Sequence, residues 1–504
     1  MRTKRAIINF ITDALPQVII LLLGIVKIKL FINILGEAKL GLYQLYNQIV
    51  SYLVLVEGGI GSALLYQLYK PVKEKNNNQI NSIMSAARPI FNAIGAIILF
   101  IGLVLSFFVT FFVKDSGGLS STYIQITFIL YLISQAIYYF SIPQRSLFDA
   151  EQKKYIPNLI FQIVAVVKAI LEIVIICLHL DLIELLISLI ICSLVANLLI
   201  IILCKKQHPD LNMKAKGDFS MLKNVKHLFV NTLGTVLTNN IDIIIISKFI
   251  GLSHVVVYST YNYFVEALKQ FIDKISGATL SGIGDLLLED KEHSIKIFNE
   301  FNGLMFFLAT VICIPFYFVI NQFINLWYQN KVETSAMFAI LFTIILFYQI
   351  IRTPLKVFTL SSGKFKEIKL FVILEIIINL SLSLILVKPL GISGVLIGTV
   401  ISLLIADFMT KPFVIFNKIL ESKPYKYYLF CFINFAFAIT EILWIHSAFK
   451  TVYSSVIECL IYGCIIGLLN LVISFVFFYL TKQLTFLKRL RKEAVSYTHL
   501  TLPT

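Results

Sequence analysis

The sequence predicts an all-α polytopic membrane protein with about 14 transmembrane helices, arranged as two pseudo-symmetric six-helix lobes plus two C-terminal helices. Three observations predict this fold class. Hydrophobic residues make up 58% of the 504 residues and charged residues only 14%, whereas an ordinary soluble domain carries about 25% charged residues. Apolar runs long enough to cross a bilayer follow one another almost without a break. A motif near the start of the chain recurs in its second half.

The apolar runs define the expected spans, with short polar connectors between them. The first run contains Asp13 and Pro16 and has no signal-peptide cleavage motif, so we interpret it as a retained helix. The fourteen expected spans are 8–35, 41–67, 83–113, 119–142, 157–178, 183–203, 228–249, 255–280, 298–322, 336–358, 368–388, 392–416, 426–449 and 453–480.

The positive charges indicate how the spans are oriented. The net charge of +15 lies in short connectors rather than on one soluble face, so nucleic acid is not an expected partner. Most lysines and arginines fall at the two ends of the chain and in the even-numbered connectors. Because cytoplasmic loops retain positive charge, we expect both termini in the cytoplasm. The odd-numbered connectors contribute only Lys39, Lys114, Lys331, Lys388 and Lys450.

The recurring motif has the pattern G-x6-Y-x2-Y-N. Each copy begins at a glycine expected to form a tight turn, and it continues into a helix with two tyrosines and an asparagine. This repetition indicates an internal duplication, which is common in membrane transporters. At the same offset, Lys27 corresponds to Asp242. The two copies are Gly36, Tyr43, Tyr46 and Asn47, and Gly251, Tyr258, Tyr261 and Asn262.

The duplication divides the chain into two lobes and several appended segments. The final residues, VSYTHLTLPT, carry no Lys, Arg, Asp or Glu and resemble translated sequencing-adapter sequence, so we assign them no function. The expected segments are an N-terminal six-helix lobe at 1–203, a cytoplasmic linker at 204–227, a C-terminal six-helix lobe at 228–418, two additional helices at 426–480, a basic cytoplasmic tail at 481–494 and a non-native tail at 495–504.

Ionisable side chains inside the spans are the candidate functional residues. A charge near the bilayer centre costs about 2.5–3.5 kcal/mol on insertion scales, so each needs a partner or a water-filled cavity. Spans 1, 2 and 7 carry Lys27, Glu57 and Asp242, and span 8 carries a charged stripe. Since spans 1 and 2 are the repeat counterparts of spans 7 and 8, we expect a single polar cleft where the repeats meet. Lys27 and Asp242 are expected partners across it.

The stripe on span 8 consists of Glu266, Lys269 and Asp273, at helical spacings of three and four residues. It either lines the cleft or forms a self-neutralising ladder with no further role. Arg352 lies in the inner half of span 10. There it either meets a phosphate entering from the cytoplasm or anchors the helix at the interface.

Other charged residues and glycines are interpreted as structural. Lys168 and Glu172 form an i,i+4 pair on span 5, whereas Glu375 and Asp407 receive no role. The glycines after Glu57 are not followed by Gly-Lys-Ser/Thr, so they predict close helix packing or a local break rather than a phosphate loop. The seven cysteines form no CxxC pair, which argues against a zinc site or a disulfide framework.

Four segments resemble the polysaccharide-transporter branch of the multidrug/oligosaccharidyl-lipid/polysaccharide (MOP) exporter superfamily. The resemblance covers about 1–480 in the layout of the spans. It implies two six-helix lobes, alternating access and a central cavity lined by spans 1, 2, 7 and 8. The segments are ILGEAKLGLYQLYNQIVSYLVLVEGGIGSAL (34–64), RSLFDAEQKKYIPN (145–158), LGTVLTNNIDIIIISKFIGLSHVVVYSTYN (233–262) and SSGKFKE (361–367).

The resemblance implies a flippase that moves undecaprenyl-diphosphate-linked oligosaccharide across the bacterial inner membrane for O-antigen, capsule or exopolysaccharide assembly. The expected partners are this lipid-linked oligosaccharide, membrane lipid and other polysaccharide-assembly membrane proteins. No catalytic residue, metal ligand or cofactor is expected, apart from a coupling proton or sodium ion. The residues expected to bind the diphosphate are Lys27, Lys269 and Arg352. The residues expected either to bind sugars or to pack are Tyr46, Asn47, Tyr261 and Asn262. The carboxylates expected to couple ions or gate are Glu57, Asp242, Glu266 and Asp273.

Two other functions stay open as alternatives. An ion-coupled multidrug or small-molecule exporter of the same superfamily would use the same carboxylates. A membrane polysaccharide polymerase or ligase generally carries a sizeable outward loop with basic and histidine residues, whereas the longest outward connector here, 323–335, holds one lysine and no histidine. Lipid II flippases bring several arginines into their cavity. This chain has no mid-depth arginine in spans 1, 2, 7 or 8, so a peptidoglycan-precursor role is not expected.

Overall fold

The computed structural model describes residues 2–53, 57, 59–212, 215–219, 241–289, 291–449 and 453–485. The chain divides into two compact units, Met1–Val256 and Val257–Thr504. All regular secondary structure in these described ranges is helical, which confirms the predicted all-α class. The predicted segment boundaries stay predictions, and 220–227 of the linker and the tail beyond 485 lie outside the described residues.

Long apolar helices build the first unit. Within it, α1 packs against α7, and α8 packs against both α5 and α7. The helices are α1 (Arg2–Leu30), which continues as a π-helical turn at Phe31–Leu35, α2 (Glu37–Leu53), α3 (Ile60–Glu74), α4 (Asn77–Ser106), α5 (Ser121–Ala136), α6 (Ile142–Ala150), α7 (Tyr155–Cys177), α8 (Leu182–Gln207), α9 (Asp242–Phe249) and the start of α10 (Leu252–Glu289).

The second unit contains the rest of α10 and the helices that follow it. Within it, α11 packs against α12 and α17, and α12 packs against α14. The helices are α11 (Lys291–Trp327), α12 (Ala336–Ile351), α13 (Thr353–Ser362), α14 (Phe365–Ser402), α15 (Lys411–Lys418), α16 (Tyr425–Ala448) and α17 (Val456–Leu480).

Ten helical stretches of the described residues are long and apolar enough to cross a membrane. One of them, Glu367–Lys418, has 52 residues and would be about 78 Å long as one straight helix. Because the hydrocarbon core of a bilayer is about 30 Å thick, this stretch supplies two crossings. Expected spans 2 and 8 correspond to the more polar α2–α3 and α10, and most of span 7 lies outside the described residues. This polytopic arrangement agrees with the predicted count of about 14.

Span 2 is interrupted where the glycines follow Glu57. Helix α2 is described as far as Leu53, and α3 begins at Ile60. Gly59 precedes α3 with a φ of +82°, a left-handed conformation that glycine adopts without steric cost. The local break expected from these glycines is therefore confirmed.

Spans 11 and 12 form a tight helical hairpin inside α14. The turn lies at Gly391, whose φ is +58°. Beyond it, a Cβ on Gly394 would lie 2.1 Å from the carbonyl oxygen of Leu386, so only glycine allows the two arms to approach this closely. A side-chain hydrogen bond of 2.9 Å between Asn379 and Thr399 also joins the arms. Small residues with buried polar pairs are typical of contacts between helices in membranes.

The beginning of the linker runs along the first turns of α4. The hydroxyl of Ser82 donates to the carbonyl of Lys216 at 2.6 Å, and Ser85 donates to that of Asn212 at 3.1 Å. Asn81 bonds to the carbonyl of Asp210 at 3.3 Å. These bonds satisfy backbone groups of an irregular segment and fasten it to the first unit.

The two C-terminal helices attach to the second unit through a buried polar seam. The amide of Asn470 on α17 donates to the carbonyl of Thr310 on α11 at 3.1 Å. Ser474, one turn further on, donates to Glu441 of α16 at 3.3 Å. Buried polar side chains need such partners in lipid, and here the partners lie on neighbouring helices.

Candidate functional site

The glycine of each repeat copy forms the turn that the motif predicts. Gly36 has a φ of +88° and Gly251 a φ of +141°. Side chains are disfavoured in this region, which explains glycine at both positions. Helices α2 and α10 begin immediately afterwards and carry the motif tyrosines at matching positions.

The second tyrosine of the first copy is part of the packing of its unit. Tyr46 is fully buried, and its ring packs edge-on against Phe128 with 5.3 Å between the centroids. Its hydroxyl donates to the carbonyl of Ile124 at 2.8 Å and also contacts the Thr127 hydroxyl. These bonds fix Tyr46 between α2 and α5.

Tyr261 occupies the same role in the second copy. It is fully buried and stacks on Phe342 of α12 at 5.2 Å. Its hydroxyl donates to Asn321 at 2.5 Å. In this conformation the hydroxyls of Tyr46 and Tyr261 are both bonded inside their own units, which supports the packing alternative. Sugar binding by these tyrosines stays a prediction.

The motif asparagines are more accessible than the tyrosines. Asn47 is exposed and accepts a hydrogen bond from the hydroxyl of Tyr131 at 3.1 Å. Asn262 is half-buried. Of the four predicted sugar-binding residues, Asn47 is therefore the one best placed to reach a ligand in this conformation.

Lys27 forms an ion pair inside the first unit. Its Nζ lies 2.9 Å from a carboxylate oxygen of Glu172 on α7, and the ring of Tyr43 lies 5.5 Å away. The Tyr43 hydroxyl also donates to Glu172, at 3.5 Å. Lys168 on the same helix, the expected partner of Glu172, interacts with it electrostatically, and a closer cation comes from α1. Pairing of Lys27 with Asp242 stays a prediction for another state.

The two carboxylates Glu57 and Asp242 lie at the beginnings of helices. Glu57 accepts a hydrogen bond from the backbone N–H of Gly61 in the first turn of α3. Asp242 is buried and is the first residue of α9. A negative charge is favourable at a helix N-terminus, so both positions have a structural explanation besides ion coupling.

The stripe on span 8 is divided between two ion pairs. Lys269 lies 3.0 Å from Glu266 one turn earlier. Asp273 lies 3.3 Å from Lys356 of α13, a residue that the sequence did not single out. Glu266 and Lys269 thus neutralise each other on one helix, whereas Asp273 connects two helices. Whether the stripe lines the cleft stays a prediction.

Arg352 belongs to a charge cluster that was not predicted. It lies between α12 and α13, with its Nη1 at 3.4 Å from Asp407 and 3.9 Å from Glu375. Lys411 contacts Glu375 at 2.9 Å and also contacts Asp407. Glu375 and Asp407 were left without a role. The available signal was the balance of two cations and two carboxylates across expected spans 10 to 12.

Comparison with known protein families identifies the family of this chain. Residues 8–280 match the family described as polysaccharide biosynthesis protein, which is more than half of the chain. The chain belongs to this polysaccharide biosynthesis family. The matched part includes both copies of the glycine–tyrosine motif and the pair of Lys27 and Glu172.

Solved structures share the fold of this family member. The lipid II flippase MurJ in an inward closed conformation has a TM-score of 0.66 at 17% identity, covering 94% of this chain and 99% of that one. An inward-facing multidrug resistance MATE family transporter of the MOP superfamily has a TM-score of 0.62 at 13% identity, covering 81% and 97%. An outward-facing MATE transporter gives 0.55 at 14% identity, covering 81% and 94%. No curated protein sequence matches the chain.

The family match and the shared fold confirm the resemblance to the MOP superfamily. The structural neighbours are a flippase and transporters, which agrees with the prediction of a transporter rather than an enzyme. The chain is a multi-pass membrane protein.

Proposed function

We propose that the protein moves undecaprenyl-diphosphate-linked oligosaccharide units across the bacterial inner membrane by alternating access, for O-antigen, capsule or exopolysaccharide assembly. The observation that carries this proposal is the match of residues 8–280 to a polysaccharide biosynthesis family, on a fold shared with a lipid II flippase. Both termini would lie in the cytoplasm, as the distribution of lysine and arginine predicts.

Three cations inside the helical units would receive the diphosphate. Lys27, Lys269 and Arg352 are each paired with carboxylates, yet each side chain keeps 20–25% of its surface exposed. Such groups are neutralised when no substrate is bound and can exchange partners with an anionic headgroup. Exposed polar groups such as Asn47 would contact the sugars. The carried lipid and the surrounding membrane lipid are the proposed partners, together with other polysaccharide-assembly membrane proteins.

Transport in this proposal is driven by a coupling cation, a proton or sodium ion. The candidate sites are the intramembrane carboxylates, since ionisable groups at this depth commonly mark ion pathways. The candidates are Glu57, Asp242, Glu266 and Asp273.

Deletion of the gene followed by glycan analysis tests the function. We expect lipid-linked repeat units to accumulate on the cytoplasmic face of the inner membrane while surface glycan falls. Complementation with the intact chain should restore surface glycan. Normal surface glycan in the deletion strain would contradict the proposal.

The second candidate is an ion-coupled multidrug exporter, which the fold shared with MATE transporters favours. The same deletion separates the two functions. A multidrug exporter predicts altered dye efflux with unchanged surface glycan. The flippase predicts the reverse.

A further inference from the structure

The second unit contains a neutral cluster of two cations and two carboxylates, Arg352, Lys411, Glu375 and Asp407. The carboxylates are almost completely buried, with 6% and 5% of their side chains exposed, whereas Arg352 is 25% exposed. Burying an ion without a partner costs several kcal/mol, so the two carboxylates need the two cations. The more accessible member of the cluster is the arginine.

The two cations hold the carboxylates unequally. Lys411 contacts both of them, at 2.9 Å for Glu375 and more closely for Asp407. The contacts of Arg352 are longer, at 3.4 and 3.9 Å, and both involve Nη1. Charge-assisted hydrogen bonds are normally about 2.7–2.9 Å long, and arginine usually binds carboxylates through two nitrogens. Lys411 therefore holds both carboxylates closely, whereas Arg352 completes the charge balance through longer contacts.

The backbone around Asp407 is irregular. Asp407 lies in a π-helical turn, Leu403–Phe408, which follows α14. Such turns are rare within helices and occur frequently at functional positions. The turn ends just before Lys411, so it sets the orientation of both an anion and a cation of the cluster.

We propose that Glu375 and Asp407 are exchangeable counter-ions, which neutralise Arg352 until the phosphates of an incoming lipid diphosphate replace them. This inference rests on the proposed function and assigns the diphosphate to Arg352. The planar guanidinium binds phosphate oxygens through two nitrogens, which its present contacts do not provide. After the exchange, Lys411 stays with the two carboxylates, and a proton taken up by one of them keeps the buried group neutral. The carboxylates then compete with the substrate, so removing one of them strengthens diphosphate binding.

The test measures binding to the purified full-length protein in lipid nanodiscs. The probes are undecaprenyl diphosphate, inorganic pyrophosphate and the uncharged undecaprenol. Arg352→Ala should weaken binding of undecaprenyl diphosphate at least about tenfold, since it removes a partly buried charge partner. Glu375→Gln should strengthen it severalfold. Two exposed residues of α14, Lys388 and Glu367, provide the matched controls Lys388→Ala and Glu367→Gln, which should bind as the wild type does.

The outcomes separate ligand binding from a purely structural cluster. If the variants change the affinity for pyrophosphate in the same way, the site binds the diphosphate group itself. If they change only the affinity for undecaprenyl diphosphate, the site binds the lipid headgroup. Lower melting temperatures with unchanged affinities would overturn the proposal, as would equal binding of undecaprenol. Where Arg352→Ala does not fold, Glu375→Gln decides, because a structural role predicts no gain in affinity. Normal surface glycan after gene deletion would overturn the proposed function, whereas unchanged affinity in Glu375→Gln overturns the counter-ion exchange alone.

Discussion

Lys27 and Glu172 form an ion pair of 2.9 Å between α1 and α7, although 145 residues separate them in the sequence. Only 1% of the Glu172 side chain is exposed, against 20% for Lys27. The buried carboxylate therefore needs nearby cations, of which Lys27 is closer than Lys168, and the Lys27 side chain remains partly accessible. The pair stabilises the first unit and also presents a positive group that an anionic ligand could reach.

Lys27→Met should destabilise the protein by about 3 kcal/mol, because it leaves a buried carboxylate without its close cation. Adding Glu172→Gln should restore part of that stability, since it removes the unpaired carboxylate but also takes away the electrostatic partner of Lys168. Export should stay impaired in both variants if Lys27 binds the diphosphate. Thermal unfolding and surface glycan are the two measurements, and Lys29→Met is the control. Normal export by the double variant would limit Lys27 to neutralising Glu172.

This pair is an example of a contact between helices that the sequence alone does not predict. The sequence pattern predicted how deep in the membrane each charge lies, and it gave Lys27 a candidate role. It favoured Lys168 as the partner of Glu172, because contacts within one helix follow from spacing alone. Contacts between helices depend on how each helix is rotated about its axis, which spacing does not determine. The cluster around Arg352 was missed for the same reason, although all four charges were visible in the sequence.

Gly394→Ala should destabilise the hairpin of α14. The new Cβ would lie 2.1 Å from the backbone carbonyl of Leu386, and a backbone atom cannot move aside alone. Overpacking of this kind costs about 1–3 kcal/mol. Gly277→Ala in α10 is the matched control, because its Cβ would meet no atom within 4 Å. Melting temperatures should therefore fall for Gly394→Ala alone, and equal effects would contradict the close packing of the arms.

The hairpin itself was well predicted. The expected spans end at 388 and resume at 392, and the structure places the turn at Gly391 between them. Proline and glycine interrupt helices for local reasons, so such breaks can be found from the sequence. The turns at Gly36 and Gly251 were predicted on the same grounds. Breaks in the helices could therefore be predicted from the sequence, whereas side-chain partners on other helices could not.

Asp181, in the connector before α8, should make the stability of the protein depend on pH in the acidic range. Burial acts to raise the pKa of this carboxyl, but bonds from Lys39, the Leu182 N–H and Tyr123 lower it overall from 3.8. A carboxyl whose pKa is lowered by folding stabilises the protein at pH values above its pKa in the unfolded chain. This contribution is lost as the pH falls through the pKa of the same carboxyl in the folded protein. Asp181→Asn should therefore be less stable at pH 7 and lose less stability between pH 6 and pH 3. Thermal unfolding across this range checks the slope, with the exposed Asp115→Asn as control. A slope unchanged by Asp181→Asn would contradict the assignment.

Exchanging the charges of Asp273 and Lys356 should separate a structural ion pair from a transport role. The two side chains are about half exposed and lie 3.3 Å apart, so the exchanged pair can form the same contact with reversed polarity. Asp273→Lys alone places two cations together and should lower the melting temperature. Adding Lys356→Asp should restore it, because opposite charges face each other again. If Asp273 couples a cation, export should stay low in the restored protein, because the carboxylate no longer lies on α10. Full recovery of surface glycan together with stability would show that Asp273 only joins α10 to α13.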